Sequence, residues 1–228
     1  MRIWVIRTNK HGENEQKYIQ EKRVYVAWHR LTIDIAKFSS RDALLDQMAK
    51  LYPDYNNDED LRGIFPEEYF VPTKEKLAPG RAPHLSPDEY TVNRLRNWVW
   101  QIWQFAHGMN KGDWVIMPLK QQPTIYIGEI TGDYHFEATG ESPFFHWRSV
   151  KWIGEAIPRD NFAQDRPFLG GTLTISRLHL DNAEARIIAM QKNGWEPEQG
   201  TMAVSTLERE DADTVAADLE EGSKWVLR

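Results

Sequence analysis

The chain has 228 residues, of which 41% are hydrophobic and 27% are charged, and it carries a net charge of −6. This composition predicts a globular protein, and the negative charge confines any nucleic-acid site to a local basic patch. No stretch approaches the roughly eighteen apolar residues of a membrane span, so we expect no membrane partner. The absence of cysteine excludes disulfides, thiolate nucleophiles and cysteine-ligated zinc, and it fits a cytoplasmic location.

The first part of the chain alternates between strand and helix patterns. Alternating apolar residues indicate strands, and apolar stripes after polar caps indicate helices: strands at 2–7 and 23–28, a short helix at 13–21, and a helix that follows 39–42 and runs to Leu51. Residues from about 56 to 88 are rich in Pro, Asp, Glu and Gly, which predicts an irregular insertion.

The second part of the chain begins with a long helix and continues mainly as strands. Ser86, Pro87 and Glu89 form a capping box, and the helix is predicted to run to about His107 and stop at Gly108. The predicted elements that follow are strands at 113–118, 124–131, 145–154 and 172–175, a helical turn at 158–162 and a helix at 181–193. Residues 206–221 form a polar, acidic helix that is typical of a linker.

Tryptophan is abundant, with ten residues in the chain. It is hard to bury completely and recurs where flat ligands or bases stack. Trp98 lies on one face of the predicted helix, and Trp100 and Trp103 lie on another. We expect that these two faces cannot both be fully buried in the core. We therefore expect Trp98 or Trp100 to meet a ligand or partner, and Trp103 and Phe105 to be core residues.

Motifs of known catalytic chemistry are not found. There is no Gly-x-Ser-x-Gly, the seven histidines are dispersed, and no His-Glu-x-x-His occurs. A nuclease core of the Pro-Asp…Glu-x-Lys type needs a Glu-x-Lys on a strand with carboxylates for Mg²⁺. No predicted strand carries one, so we expect no catalytic residue, no metal site and no cofactor, and this chain is not expected to be an enzyme by itself.

An ordered series of short motifs runs through most of the chain. It comprises Trp4–Arg7, Gly12–Glu15, Val26–Trp28, Asn97–Phe105, Gly112–Lys120, Ile127–Tyr134 and His146–Trp152. This series resembles the PUA-like superfamily, in particular its EVE and YTH branches, and most closely the amino-terminal reader region of Mrr-type modification-dependent restriction endonucleases. The chain departs from the family at Ala27, where a glycine is usual.

The resemblance implies an α+β fold, namely a small, twisted, mostly antiparallel β-barrel flanked by helices. A reader domain would span 1–195, including the insertion at about 56–88. Residues 196–228 would form a C-terminal linker helix towards a nuclease domain in the same longer chain.

The function that the resemblance implies is recognition of a modified base in double-stranded DNA. The base, a modified cytosine or a methyladenine, would be flipped into an aromatic pocket, and the module would be the specificity part of a type IV restriction or phage-defence system. The alternatives are an RNA-binding reader of modified nucleotides and a small-ligand sensor on the same fold.

Such a reader needs an aromatic wall, polar groups that read the base edge, a basic rim and a wedge that holds the duplex open. For the pocket we predict Trp28, Asp34, Asn97, Trp98, Gln101 and Trp103. For the nucleic-acid backbone we predict Arg30, Arg94, Arg96, Lys111, Lys120, Arg148 and Lys151, and for the wedge Asn9, Lys10 and His11. The competing interpretations are a core position for Trp28, loop capping by the amides, turn capping by Asp34, and scattered surface charge for the basic residues.

Overall fold

The computed structural model describes residues 1–8, 11–28, 31–51, 87–165, 169–171, 173–178 and 182–196, and only the backbone of 87–94 and of Gln164. The helices are α1 (Glu15–Glu21), α2 (Arg41–Leu51), α3 (Pro87–Trp103) and α4 (Ala183–Lys192). The strands are β1 (Ile3–Ile6), β2 (Arg23–Val26), β3 (Trp114–Pro118), β4 (Thr124–Ile130), β5 (His135–Phe136), β6 (His146–Trp152), β7 (Ile157–Pro158) and β8 (Ile175–Arg177). The 3-10 segments are Ile35–Lys37 and Arg159–Asp165, and a π-helical segment, Gln104–Gly108, continues α3.

The described strands form one curled sheet in the order β2-β6-β4-β3-β1-β8, with β5 paired to β6 and β7 paired to β4. The β1–β3 pair is parallel, and the remaining pairs are antiparallel. The architecture is therefore α+β, with a mostly antiparallel sheet that closes into a half-barrel and helices packed on it. This confirms the predicted class at that level.

Helices cover the sheet in separate clusters. One cluster joins α2 and α3 to side chains from six strands, including Trp4, Val24 and Val115. A second cluster packs α4 and the Arg159–Asp165 turn against other sheet residues. The second half of α3 contributes Leu95, Trp98, Val99 and Ile102 to the first cluster, so apolar burial holds this part of the helix against the sheet.

Most predicted elements are present, with shifted ends. The predicted strand at 172–175 begins only at Ile175, and the predicted helix at 181–193 begins at Ala183, after Asn182 with a positive φ of 61°. The short strands β5 and β7 were not predicted, because two residues carry no alternation. The insertion at 56–88 lies outside the described residues except for its last two backbone positions. The linker at 196–228 lies outside them except for Glu196.

The Gly-Asp turn before β3 is hydrogen-bonded to the start of β1, the parallel neighbour of β3. Gly112 has a φ of +85°, which a residue with a Cβ adopts only with strain. The carboxylate of Asp113 is buried and accepts hydrogen bonds from the backbone N–H of Arg2 (2.9 Å), the indole N–H of Trp4 (3.0 Å) and the backbone N–H of Asn110 (3.0 Å). Asp113 thus fixes the start of β1 against the start of β3.

We predict that Asp113→Ala lowers the free energy of unfolding by about 3 kcal/mol, because three N–H donors lose their acceptor. Urea denaturation measures this. The control is Asp46→Ala on the exposed side of α2, where a change within about 0.5 kcal/mol is expected. Equal effects of the two substitutions would show that the Asp113 carboxylate does not organise the turn.

Candidate functional site

The candidate wall lies where β2 ends and α3 crosses the sheet. The rings of Trp28 and Trp98 are 5.3 Å apart and tilted by 42°. Both side chains are only 4% exposed, so the indole pair is closed to solvent in this structure. The indole N–H of Trp28 is buried and has no hydrogen-bond acceptor within the described part of the chain. The same holds for the indole N–H groups of Trp100, Trp147 and Trp152, so an unsatisfied indole alone does not define the site.

The predicted amides form a hydrogen-bond relay that fixes their orientation. The backbone N–H of Ile175 in β8 donates to Oε1 of Gln101 at 3.0 Å, and Nε2 of Gln101 donates to Oδ1 of Asn97 at 3.3 Å. A backbone N–H can only donate, so Gln101 must present its oxygen to β8 and its nitrogen to Asn97. The Nδ2 group of Asn97 is therefore turned away, and within the described residues it has no acceptor.

Gln101 itself is an interior residue. Its side chain is 1% exposed and both ends of its amide are occupied. The prediction that Gln101 faces a base is therefore corrected. The Gln101 amide instead positions the side chain of Asn97, which is half-buried.

Asp34 and Trp103 are held by other contacts. Asp34 caps the 3-10 segment by accepting the backbone N–H of Ala36 at 3.1 Å through Oδ1, which is the competing interpretation of this residue. Trp103 is half-buried, and its ring lies 4.0 Å from that of His107. His107 in turn contacts the carbonyl oxygen of Ile35 at 3.2 Å. The expectation that the two helix faces cannot both be covered was wrong, since Trp98 and Trp100 are both buried. Trp103 is half-buried and packs against the first core cluster, and Phe105 is buried as expected.

A histidine that the sequence analysis did not select ties the loop after Trp28 to the sheet. His146 in β6 has its Nε2 at 2.7 Å from the carbonyl oxygen of Leu31 and its Nδ1 at 2.8 Å from the Tyr134 hydroxyl. The carbonyl requires a donor, so Nε2 carries the proton and Nδ1 accepts from Tyr134. The Tyr134 oxygen also accepts the backbone N–H of Ile35 at 3.2 Å. Burial lowers the pKa of His146 to about 4, so the ring is neutral near pH 7.

Arg148 belongs to the interior and not to a basic rim. It is 3% exposed, and its guanidinium donates to the carbonyl oxygens of Phe105 (2.7 Å), Ala106 (2.9 Å) and Gly132 (3.1 Å). Carbonyl groups at a helix end lack hydrogen-bond donors within the helix. The Arg148 guanidinium supplies these donors for the π-helical segment. This placement corrects the predicted rim, and burial lowers the pKa of the guanidinium.

The other predicted cations are placed as follows. Lys111, Lys120 and Lys151 are exposed, and Arg96 is half-buried. Lys111 forms an exposed ion pair with Asp133 at 2.7 Å, and this hydrogen bond lowers the pKa of Asp133. Of the wedge residues, His11 is exposed. Arg30, Asn9 and Lys10 lie outside the described residues, as does the side chain of Arg94.

One further aromatic residue stands out on the sheet but offers no free ring. The Arg23 guanidinium lies 3.8 Å from the ring centroid of Trp147, and the His135 ring stacks on it at 4.2 Å with an angle of 12°. Two groups this close to one ring cannot share a face, so both faces of Trp147 are covered.

Comparison with known proteins gives one match. Residues 84–174 match a family model described as a domain of unknown function (DUF8426). No curated protein and no solved structure gives a significant match. The matched segment contains α3, β3, β4 and β6, and so includes the Asn97–Gln101 relay and His146.

Membrane spans and metal-ligand clusters are both absent from the described residues. None of the helices in the described ranges combines the length and the apolar character that a bilayer span requires. The same ranges hold no group of three His, Cys, Asp or Glu side chains arranged for a metal ion. A Glu-x-Lys spacing does occur, at Glu15 and Lys17, but on α1, where Lys17 pairs with Glu21 at 2.8 Å.

We predict that His146 makes stability depend on pH. Its folded pKa of about 4 lies below the ordinary value of 6.5, so the unfolded chain binds the proton first as the pH falls. The stabilisation is complete above about pH 6.5 and is lost as the pH falls towards 4, by at most about 3 kcal/mol. Urea denaturation between pH 7 and pH 4 measures it.

The matched variant is His146→Gln, whose side chain stays neutral throughout this range. The stability difference between the wild type and this variant should shrink as the pH falls. A difference that stays constant from pH 7 to pH 4 would contradict a buried, neutral His146.

Proposed function

We propose that this chain is a PUA-like reader domain that binds double-stranded DNA and receives one modified base, turned out of the duplex, beside α3. In this proposal it is the specificity part of a modification-dependent restriction system, and cleavage belongs to a nuclease domain. The observation that carries the proposal is the relay from Ile175 through Gln101, which presents Asn97 as a fixed hydrogen-bond donor. Asn97 directly precedes Trp98 on α3, and the Trp98 ring packs against Trp28.

The energetic demands of base extrusion fit groups of this kind. Removing a base from the stack costs a few kcal/mol, and stacking on aromatic rings returns roughly 1–3 kcal/mol. Discrimination then depends on polar groups that cannot reorient, because a fixed donor left without an acceptor is costly. Asn97 meets this requirement, since a reversed amide would set its nitrogen against the Gln101 nitrogen.

The polarity of the available groups favours cytosine over adenine, the two bases whose modified forms are considered. Asn97 Nδ2 and the buried Trp28 indole N–H are donors, and the second oxygen of the Asp34 carboxylate has no donor among the described residues. The pairing edge of cytosine has two acceptors, O2 and N3, and one amine donor. Adenine has only one acceptor on that edge, so it would leave one of the two donors unsatisfied.

Binding requires the indole pair to change. Both rings are closed to solvent, so an incoming base has to part the Trp28–Trp98 contact or displace a neighbouring group. An acceptor on the base would satisfy the Trp28 indole N–H, which offsets part of that cost. The exposed Lys120 and Lys151 can contribute phosphate contacts, which supply affinity and make it salt-dependent.

The proposal is tested by titrating the protein with four ligands of equal length: unmodified duplex, duplex with a 5-modified cytosine, duplex with N6-methyladenine, and single-stranded RNA. We expect the cytosine-modified duplex to bind more tightly than unmodified duplex. We expect its margin over the N6-methyladenine duplex to be at least about 10-fold, which corresponds to one fixed hydrogen bond of about 1.4 kcal/mol. Equal affinities for all duplexes, or preference for RNA, would overturn the proposal.

The decisive variant is Asn97→Asp. The new carboxylate still accepts from Gln101 Nε2, so the relay survives, but the donor of Asn97 is lost. We expect the preference for the cytosine-modified duplex over the N6-methyladenine duplex to fall by about 10-fold while the urea midpoint changes little. The control is Asn193→Asp, an exposed position at the end of α4 that gives the same change in charge. An Asn97→Asp protein that keeps its full preference would show that Asn97 does not read the base.

A further inference from the structure

The loop after β1 packs directly against the turn between β3 and β4. Oε1 of the buried Glu15 accepts the backbone N–H of Lys120 at 2.5 Å and the hydroxyl of Thr8 at 3.4 Å. A Cβ on Gly12 would lie 3.0 Å from the Cβ of Lys120, so the loop reaches this close because residue 12 is glycine. These contacts place the Lys120 side chain beside the end of β1.

Arg159 holds the same turn from its other side. Its backbone N–H donates to the carbonyl oxygen of Pro123 at 2.9 Å, and its Nη2 donates to that of Leu119 at 2.5 Å. Its Nε is buried and has no acceptor in the ranges that the structure describes. The guanidinium is thus held in place with donor capacity that the turn does not use.

Positive charge dominates this region, which we define as the Lys120 cluster: Arg7, Glu15, Lys120 and Arg159. Partial burial lowers the pKa of the Lys120 ammonium, and the charges of Arg7 and Arg159 lower it further, whereas Glu15 acts in the opposite direction. Among the described groups whose charges act on Lys120, two are cations and one is a carboxylate, in a chain whose net charge is −6. An anion between these side chains would relieve their repulsion.

We infer that the Lys120 cluster binds a phosphate group, with Lys120 and Arg159 as the donors and Arg7 as a fixed positive charge. Arg7 is 5% exposed and donates to the carbonyl oxygen of Leu173 and the hydroxyl of Ser176, so it acts through its field and not by contact. Phosphate suits the site because it offers several strong acceptors to an ammonium and a guanidinium that approach from different elements. If the proposed function holds, this is a backbone phosphate of the bound duplex.

The first test uses inorganic phosphate, titrated at constant ionic strength and followed by the backbone amide shifts of residues 119–122. We expect saturable shifts in the wild type, binding about 10-fold weaker in Lys120→Gln, and recovery in Lys120→Arg. Lys192→Gln, an exposed lysine at the end of α4, is the control and should bind phosphate as the wild type does. Non-saturable shifts, or a Lys120→Gln protein with unchanged affinity, would overturn the inference.

The second test separates this inference from the proposed function. For duplex binding, the slope of log affinity against log salt concentration is compared between the wild type and Lys120→Gln. Loss of one phosphate contact should make this slope shallower by about 0.9 in Lys120→Gln. If phosphate binds at the cluster but no duplex binds, the site stands and the proposed function fails. If the duplex binds with base preference and an unchanged slope in Lys120→Gln, the function stands and the cluster is not its phosphate contact.

Discussion

The candidate site depends on one buried amide. Gln101 lies between α3 and the sheet with 1% exposure, and an amide in that position must satisfy both its oxygen and its nitrogen. The β8 backbone fixes the oxygen, and Asn97 takes the nitrogen. The fold thereby decides which end of Asn97 faces outward, and this polarity determines which ligand edge the helix can pair with.

Similar buried polar contacts join the other loops and helix ends to the sheet. Arg148 supplies donors to the end of the π-helical segment, His146 and Tyr134 hold the loop from Leu31 to Ile35, and Asp113 fixes the start of β1. Apolar packing alone would leave these backbone groups buried without partners. The contacts fix the end of the π-helical segment, the loop from Leu31 to Ile35 and the start of β1 against the sheet.

The elements were predictable from the sequence because their signals are local. Alternation marks β1, β3, β4 and β6, and the Ser40 hydroxyl accepts from Ala43 at the start of α2, where a cap was predicted. Asn97 and Gln101 are four residues apart and therefore share a helix face, and the structure shows a hydrogen bond between them.

The directions of individual side chains were less predictable because they depend on long-range partners. Alternation places Arg148 and Lys151 on opposite strand faces but does not show which face is covered, and the carbonyls that receive Arg148 are about 40 residues away in the chain. Gln101 was predicted to face a ligand because the sequence does not show that its amide oxygen accepts the Ile175 backbone N–H, 74 residues away in the chain. The role of His146 was missed because its partners, Leu31 and Tyr134, cannot be identified from a lone histidine on a strand.

The most direct measurement is the side-chain amide spectrum of Asn97 and Gln101 during titration with duplex that carries a modified cytosine. The account predicts that the Nδ2 protons of Asn97 shift strongly as they gain an acceptor, while the Nε2 protons of Gln101, already bonded to Asn97, change little. Tight binding of the modified duplex with the Asn97 amide unchanged would contradict the central claim that this donor reads the base.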